Sequence, residues 1–381
     1  MVSSPDPDAE PSPDPGDSSA RRPTATPRLG TARRAVARGL AVIGLDGRAD
    51  RYLVGLAVLW LLWTLTATAA SAHPFIDAAP HLAAPVVLLV GIVAGRHLSR
   101  RVPGWTVATV LTIGALVVVV GIPFYANAQA AIGVQLVALA GLLRLGTDPG
   151  DARTSTHLSV STTMLLVVAV LLAARAQAGM VLVLATAAVV ALVVATRRGP
   201  PVRTVAAVGA GLGLAAAVVV AWLGSRETWP GFLAAEGSLS SARHRLWGDA
   251  LDLWAQRPLT GSGPGSFVEH SALAAGNAKL SEVHSDVLQV GAELGAVGVV
   301  LLLAMFVVAY GVATRGSRAA AAIAATAWTA LAIHSSIDHL AEFPPLVLMA
   351  GVVLGWAGTH RASRGAATET FERPTTTTPR R

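Results

Sequence analysis

Cysteine is absent from this chain, which excludes disulfide bonds, thiol catalysis and cysteine-ligated metal sites. Lysine is almost absent as well: Lys279 is the only one, so the formal net charge of +7 comes from arginine. Charged residues make up 13% of the 381 residues, whereas a soluble globular protein carries about a quarter. So little charge is typical of a membrane protein.

Long uncharged runs occupy much of the sequence. Leu165–Ala173, Val181–Ala195 and Val299–Val308 lie inside such stretches, and roughly 20 apolar residues suffice for a helix to cross a hydrocarbon core of about 30 Å. Backbone amides in lipid must bond within their own segment, so the spans should be helical. We predict an all-α polytopic membrane protein with about ten transmembrane helices: 52–71, 82–97, 104–122, 127–144, 159–175, 179–196, 203–223, 286–313, 319–336 and 344–359.

Arginine is distributed unevenly between the connecting loops. Alternate loops carry arginine, while the loops 72–81, 122–126 and 337–343 contain neither arginine nor lysine. We expect the chain to lie in the cytoplasmic (inner) membrane. The positive-inside rule then places both termini in the cytoplasm. Because the arginines lie at helix ends, membrane lipids are the expected contact and nucleic acid is not.

These features divide the chain into five predicted regions. Residues 1–50 are rich in proline and acid and predict a disordered cytoplasmic head. Helices 1–7 follow over 51–223, an extracytoplasmic loop over 224–284, helices 8–10 over 285–360 and a basic cytoplasmic tail over 361–381. Within the loop, apolar residues at helical spacing in Ser241–Gln256 predict an amphipathic helix. It either lies near the membrane surface or is a solvated loop helix.

A few ionisable residues fall on the predicted outer side. Arg175 ends the fifth span, where a snorkelling arginine is the simpler explanation. Arg243 and Arg245 open the amphipathic helix, and guanidinium groups suit a pyrophosphate as well as lipid phosphates. His284 precedes the eighth span, with Ser285 or Asp286 able to cap that helix. A histidine there suits a general base, or serves structure alone.

Taken together, these pieces resemble the O-antigen ligase and polymerase superfamily of bacterial membrane glycosyltransferases. The matching segments are Arg243–Leu251, Arg257–Phe267, His284–Gln289, Glu293–Gly298 and Leu331–Asp338 followed by Pro344. The order and spacing of these segments, and the loop between them, are similar to the signature domain of that family. The resemblance covers about residues 170–358.

The resemblance implies transfer of a glycan from an undecaprenyl-diphosphate carrier to an acceptor hydroxyl on the outer face, with inversion and without metal or other cofactor. It places the essential histidine at His284 and two diphosphate-binding arginines at Arg175 and Arg243, with Arg245 as a further candidate. Where the family has Ser-Arg-Gly, this chain has Ala174-Arg175-Ala176. Supporting positions fall on Trp247, Asp286, Glu293, His334 and Asp338.

Other interpretations stay open at this stage. A permease for polysaccharide precursors or other solutes would also be polytopic, although the chain shows no repeated halves. A non-catalytic scaffold for polysaccharide assembly is a third possibility. Within the enzyme hypothesis, ligase and polymerase differ only in the acceptor, which could be a glycan, a lipid or a protein.

Overall fold

The computed structural model describes residues 38–41, 44–121, 125–146, 152–229 and 239–359. Most of the predicted head and all of the predicted tail lie outside these residues. The described part is helical and contains no strand, so the predicted all-α class is confirmed.

Thirteen α-helices and one short 3₁₀ helix, Phe75–Ala78, make up the described fold. The α-helices are α1 (Arg48–Ala70), α2 (Ala79–Arg101), α3 (Gly104–Gly121), α4 (Ala126–Leu145), α5 (Ala152–Ala173), α6 (Gln177–Thr196), α7 (Val202–Gly224), α8 (Leu239–Gln256), α9 (Ser266–His270), α10 (Ala272–Gly276), α11 (Asp286–Ala313), α12 (Arg318–Ser336) and α13 (Pro344–Ala357).

The long helices account for the apolar runs of the sequence. Within the described residues, eight are long and apolar enough to cross a membrane: α1, α2, α4, α5, α6, α7, α11 and α12. The helices α3 and α13 are apolar but shorter. These ten helices coincide with the ten predicted spans, and the chain is a multi-pass membrane protein.

The centre of the bundle is formed by α4 and α12. Nearly every residue of α4 from Ala128 to Leu143 is buried, as is most of α12 from Ala319 to Ser336. Both helices are rich in alanine, and small side chains let neighbouring backbones approach closely. The two helices therefore form the interior of the bundle.

The pair α2 and α13 is joined by four glycines. A Cβ added to Gly91 would lie 2.3 Å from the Leu348 carbonyl oxygen, and one added to Gly355 would lie 2.1 Å from that of Ile92. Gly95 and Gly351 meet the facing backbone at 2.2 and 2.4 Å in the same way. Each helix thus carries glycines four residues apart, the spacing that permits close helix contact in membranes.

One end of the bundle, which we call the Arg96 end, is tied by a buried ion-pair network. The Arg96 guanidinium donates to both carboxylate oxygens of Asp50 on α1, at 2.6 and 3.0 Å. Arg315, just beyond α11, also contacts Asp50, and it donates to Asp46 at 2.9 Å. Because Asp50 is fully buried, these two guanidinium groups supply the charge that its carboxylate requires.

The opposite end carries α8, the helix expected in the long loop. Its apolar residues Leu246, Trp247, Ala250 and Leu253 are buried in a small second core that includes Phe267 of α9 and Leu288 of α11. The apolar face of α8 is therefore covered by protein, and the helix lies across the start of α11.

Candidate active site

His284 lies at the junction between the long loop and α11. Ser285 caps the helix by accepting a hydrogen bond from the Leu288 amide at 3.4 Å. The indole of Trp247 donates to the His284 carbonyl at 3.2 Å, which anchors the junction to α8. His284 itself has φ 56°, a left-handed conformation that is uncommon outside glycine and is often found at functional positions.

Asp338 is brought to the same place by the loop between α12 and α13. The carboxylate of Asp286, in the first turn of α11, accepts from the amides of Leu340 and Ala341, both at 3.3 Å or less. The Asp286 amide in turn donates to the Asp338 carbonyl at 3.2 Å. Asp286 thus ties the segment carrying His284 to the loop carrying Asp338.

The His284 ring is oriented by Asp338. Nδ1 lies 3.1 Å from Asp338 Oδ1, and both side chains are almost completely buried. An ionised carboxylate only accepts hydrogen bonds, so Nδ1 carries the proton and Nε2 carries the lone pair. Nε2 is buried and has no hydrogen-bond partner among the described residues. Since buried polar atoms are usually satisfied, an unpartnered basic nitrogen marks a place where a ligand can bind.

The Asp338 carboxylate collects further donors. Tyr125, just before α4, donates to its two oxygens at 2.8 and 2.9 Å, and Asn127 also donates to it. The amide of His339 donates at 2.9 Å. Burial alone raises the pKa of Asp338, but hydrogen bonds from His284 and His339 and the charge of Arg243 lower it well below its usual range. The carboxylate is therefore ionised and held from several sides.

Arg243 reaches this cluster from the first turns of α8. Its Nη2 lies 3.3 Å from Asp338 Oδ2. Its Nε is buried and has no hydrogen-bond partner in the described part of the chain. A guanidinium group with part of its donor fork unused can bind an anion there.

The other two predicted arginines lie at the same end of the bundle. Arg175 is exposed in the turn between α5 and α6. That turn is beside the start of α4, because a Cβ on Gly179 would lie 2.1 Å from the Ala130 Cβ. Arg245 is exposed on α8, two residues beyond Arg243.

The remaining predicted residues have identifiable contacts. Glu293 accepts from the Gly265 amide at 3.1 Å and from Gln289 at 2.9 Å, and it pairs with His81 at 2.8 Å. It therefore holds the glycine-rich turn 261–265 and α2 against α11. His334 is buried near the end of α12, with no hydrogen-bond partner for either ring nitrogen among the described residues.

Two contributors to this cluster, Tyr125 and Asn127, were missed by sequence reasoning. The available signal was weak: a tyrosine and an asparagine at the start of an otherwise apolar span. Hydrogen-bonding groups placed at the mouth of such a span are expected to have polar partners at that depth.

A metal ion is the other chemistry that this geometry raises. Potential ligand atoms of His284, Asp338 and His339 lie within 4.8 Å of one another. Asp338, however, already accepts from Tyr125 and Asn127, and the Arg243 guanidinium lies at hydrogen-bonding distance. These donors occupy the lone pairs that a cation would need, and Arg243 adds like charge. The arrangement fits an oriented base better than a metal centre.

Comparison with known proteins bears on the same region. Residues 162–303 match a family model described as O-Antigen ligase. No curated protein matches the chain. The matched residues include Arg175, Arg243 and His284, whereas Tyr125, Asn127 and Asp338 lie outside them. Residues 162–303 are therefore similar to the O-antigen ligase family, in agreement with the resemblance seen in the sequence motifs.

Proposed function

We propose that the chain transfers a glycan from an undecaprenyl-diphosphate carrier to an acceptor hydroxyl, with His284 as the general base. The observation that carries this proposal is the state of the His284 ring. Its Nδ1 faces an ionised carboxylate and its Nε2 is buried without a partner among the described residues. A histidine oriented in this way can take a proton from a hydroxyl group bound at Nε2.

The leaving diphosphate is assigned to the neighbouring guanidinium groups. Arg243 is close enough to His284 to share Asp338 with it. Arg175 lies in a turn at the same end of the bundle. Preorganised positive charge stabilises the negative charge that grows on a leaving group. Arg245, exposed beside Arg243, could extend this binding surface.

The reaction balances without a cofactor. The acceptor oxygen forms a bond to the anomeric carbon while its proton passes to Nε2 of His284. The bond from that carbon to the diphosphate oxygen breaks, and its electron pair leaves with the carrier. Attack opposite the leaving group inverts the anomeric configuration. The match to the O-antigen ligase model favours this chemistry over the permease and the scaffold.

A pocket near the cluster supports a lipid-linked donor. It lies between α1, α2, α11, α12 and α13, and its lining includes Trp60, Leu88, Met305, Phe306 and Leu331. Glu342, on the same loop as Asp338, and Asp286, which is hydrogen-bonded to that loop, line it as well. An apolar lining of this kind suits an isoprenoid chain.

The uneven arginine distribution further supports a site on the outer face of the cytoplasmic membrane, with both termini inside.

The test is a His284→Asn variant. Asparagine tolerates the left-handed backbone better than most residues, so the substitution removes the base and leaves the local fold in place. The substrate is a radiolabelled undecaprenyl-diphosphate-linked glycan, extracted from the envelope of the bacterium that encodes the chain. It is added to membranes that contain the chain. We expect release of undecaprenyl diphosphate to fall by about 100- to 10,000-fold, the usual contribution of a general base.

The matched control is His97→Ala, which removes an exposed histidine of α2 near the Arg96 end. This variant should release the carrier at the wild-type rate. Wild-type turnover in His284→Asn, at equal expression, would contradict the assignment of the base. A wild-type chain that releases no carrier would contradict the proposed function.

A further inference from the structure

The start of α4 is joined to the proposed base through one carboxylate. Tyr125 and Asn127 come from a different part of the chain than His284 and Asp338, and both donate to Asp338. Asn127 also donates to the Tyr125 hydroxyl at 3.1 Å, which links the two donors to each other. Neither residue lies in the stretch that matches the family model.

Tyr125 remains a donor in this setting. Burial and the charge of Asp338 raise the pKa of Tyr125, so the phenol keeps its proton. Its ring stacks on Phe343 with an interplanar angle of 10° and a centroid distance of 5.3 Å. The hydroxyl therefore approaches Asp338 from a ring that is itself fixed against the 337–343 loop.

The number of hydrogen-bond donors around Asp338 determines how freely its carboxylate can rotate. A carboxylate offers about four lone-pair directions. Donors from Tyr125, Asn127 and the His339 amide leave it little rotational freedom, so Oδ1 faces His284 Nδ1 in one orientation. Without the donor from Asn127 or Tyr125, the carboxylate can rotate. The proton of the imidazole is then no longer held at Nδ1.

We propose that Asn127 and Tyr125 are positioning residues for the transfer reaction: they fix the Asp338 carboxylate that holds His284 with Nε2 free for the acceptor. This inference rests on the proposed function and goes beyond it. It assigns part of the catalytic machinery to α4, whose residues contact neither the diphosphate nor the acceptor in this scheme.

The sharpest test is Asn127→Asp, which keeps the shape of the side chain and replaces its amide donor by a carboxyl group. Asn127 contacts Asp338 and Tyr125, which directly precedes α4, and the other titratable or charged groups around that carboxylate are His339 of the same loop, His284 before α11 and Arg243 of α8. Beside the ionised Asp338, a second carboxylate repels, whereas a protonated one donates an O–H bond. Compared with the wild type at the same pH, release of undecaprenyl diphosphate should therefore be about 10- to 100-fold lower at neutral pH, and this deficit should shrink as the pH is lowered.

Two further variants separate positioning from folding. Asn127→Leu and Tyr125→Phe remove a donor at every pH, so their kcat should fall at all pH values while KM for the radiolabelled glycan stays near wild type. The controls remove similar groups elsewhere. Gln135→Met deletes an amide of α4 that donates to the Ala327 carbonyl, and Tyr310→Phe deletes a buried hydroxyl bonded to Thr329.

Three results would overturn the inference. The first is wild-type kcat in Asn127→Leu, and the second is the same loss in Asn127→Asp at every pH. The third is an equal loss in Gln135→Met, which would assign the effect to the fold of α4. In each case the wild-type chain still releases the carrier and His284→Asn still fails, so the proposed function stands without the positioning role.

Discussion

At the scale of single residues, Glu342 is held where its neutral form is favoured. It lies on the 337–343 loop, and burial together with Glu282, Asp286 and Glu293 raises its pKa to about 10. The ordinary pKa of a glutamate side chain is 4.5. Between these two pH values the folded chain keeps a proton that the unfolded chain has lost, so rising pH destabilises the folded state.

The Glu342→Gln variant tests this linkage. The amide keeps the shape and cannot ionise, so the unfolding temperature should decline less from about pH 5 to about pH 9 than it does in the wild type. Thermal unfolding of the purified protein in detergent measures the two slopes. Glu227→Gln, at an exposed glutamate, should leave the wild-type slope unchanged. Equal slopes in wild type and Glu342→Gln would count against the protonated state.

The same scale shows what the sequence could and could not predict about the site. His284 and Arg243 fall in motifs that resemble a family, so both could be chosen as candidates. The link from Tyr125 to Asp338 spans 213 residues and depends on two loops meeting in space. No local pattern encodes such a contact. The orientation of the His284 ring is likewise a tertiary property, because it depends on a carboxylate 54 residues away.

At the scale of helices, the α2–α13 pair depends on its four glycines. A methyl group at Gly95 would lie 2.2 Å from the Val352 carbonyl oxygen, so the Gly95→Ala variant must push the two helices apart. Overpacking of this kind typically costs about 1–3 kcal/mol. We expect a lower unfolding temperature in detergent. Gly114→Ala on α3 is the control, since nothing lies within 4 Å of its added Cβ. Matching melting curves for the two variants would refute close packing by glycine.

Helix positions themselves could be predicted well. Continuous apolar runs predicted ten spans, and the ten corresponding helices begin and end within several residues of the predicted bounds. The length that a membrane requires makes such runs easy to delimit. The partner of each helix was harder to predict, and the surroundings of α8 show why. Its apolar face suits lipid as well as protein, and only the structure shows that Phe267 and Leu288 cover it.

At the scale of the whole molecule, the absence of cysteine makes the proposed orientation directly testable. Lys279 and Arg198 are both exposed, and the proposal places them on opposite sides of the membrane. A membrane-impermeant maleimide should label Lys279→Cys in intact cells. It should label Arg198→Cys only after the cells are permeabilised, because the proposal places Arg198 on the cytoplasmic side. The native chain contains no cysteine and therefore adds no background labelling. The reverse pattern would invert the topology.

The proposed centre is assembled from three stretches of chain that are far apart in sequence. Arg243 and His284 lie within the family-matched residues 162–303, Tyr125 and Asn127 precede them, and Asp338 follows them. A chimera that keeps the matched stretch and takes its flanks from a relative would inherit the base without the groups that set its tautomer. Under the proposed positioning role, divergence in the flanks would change turnover while the family-matched stretch stays the same.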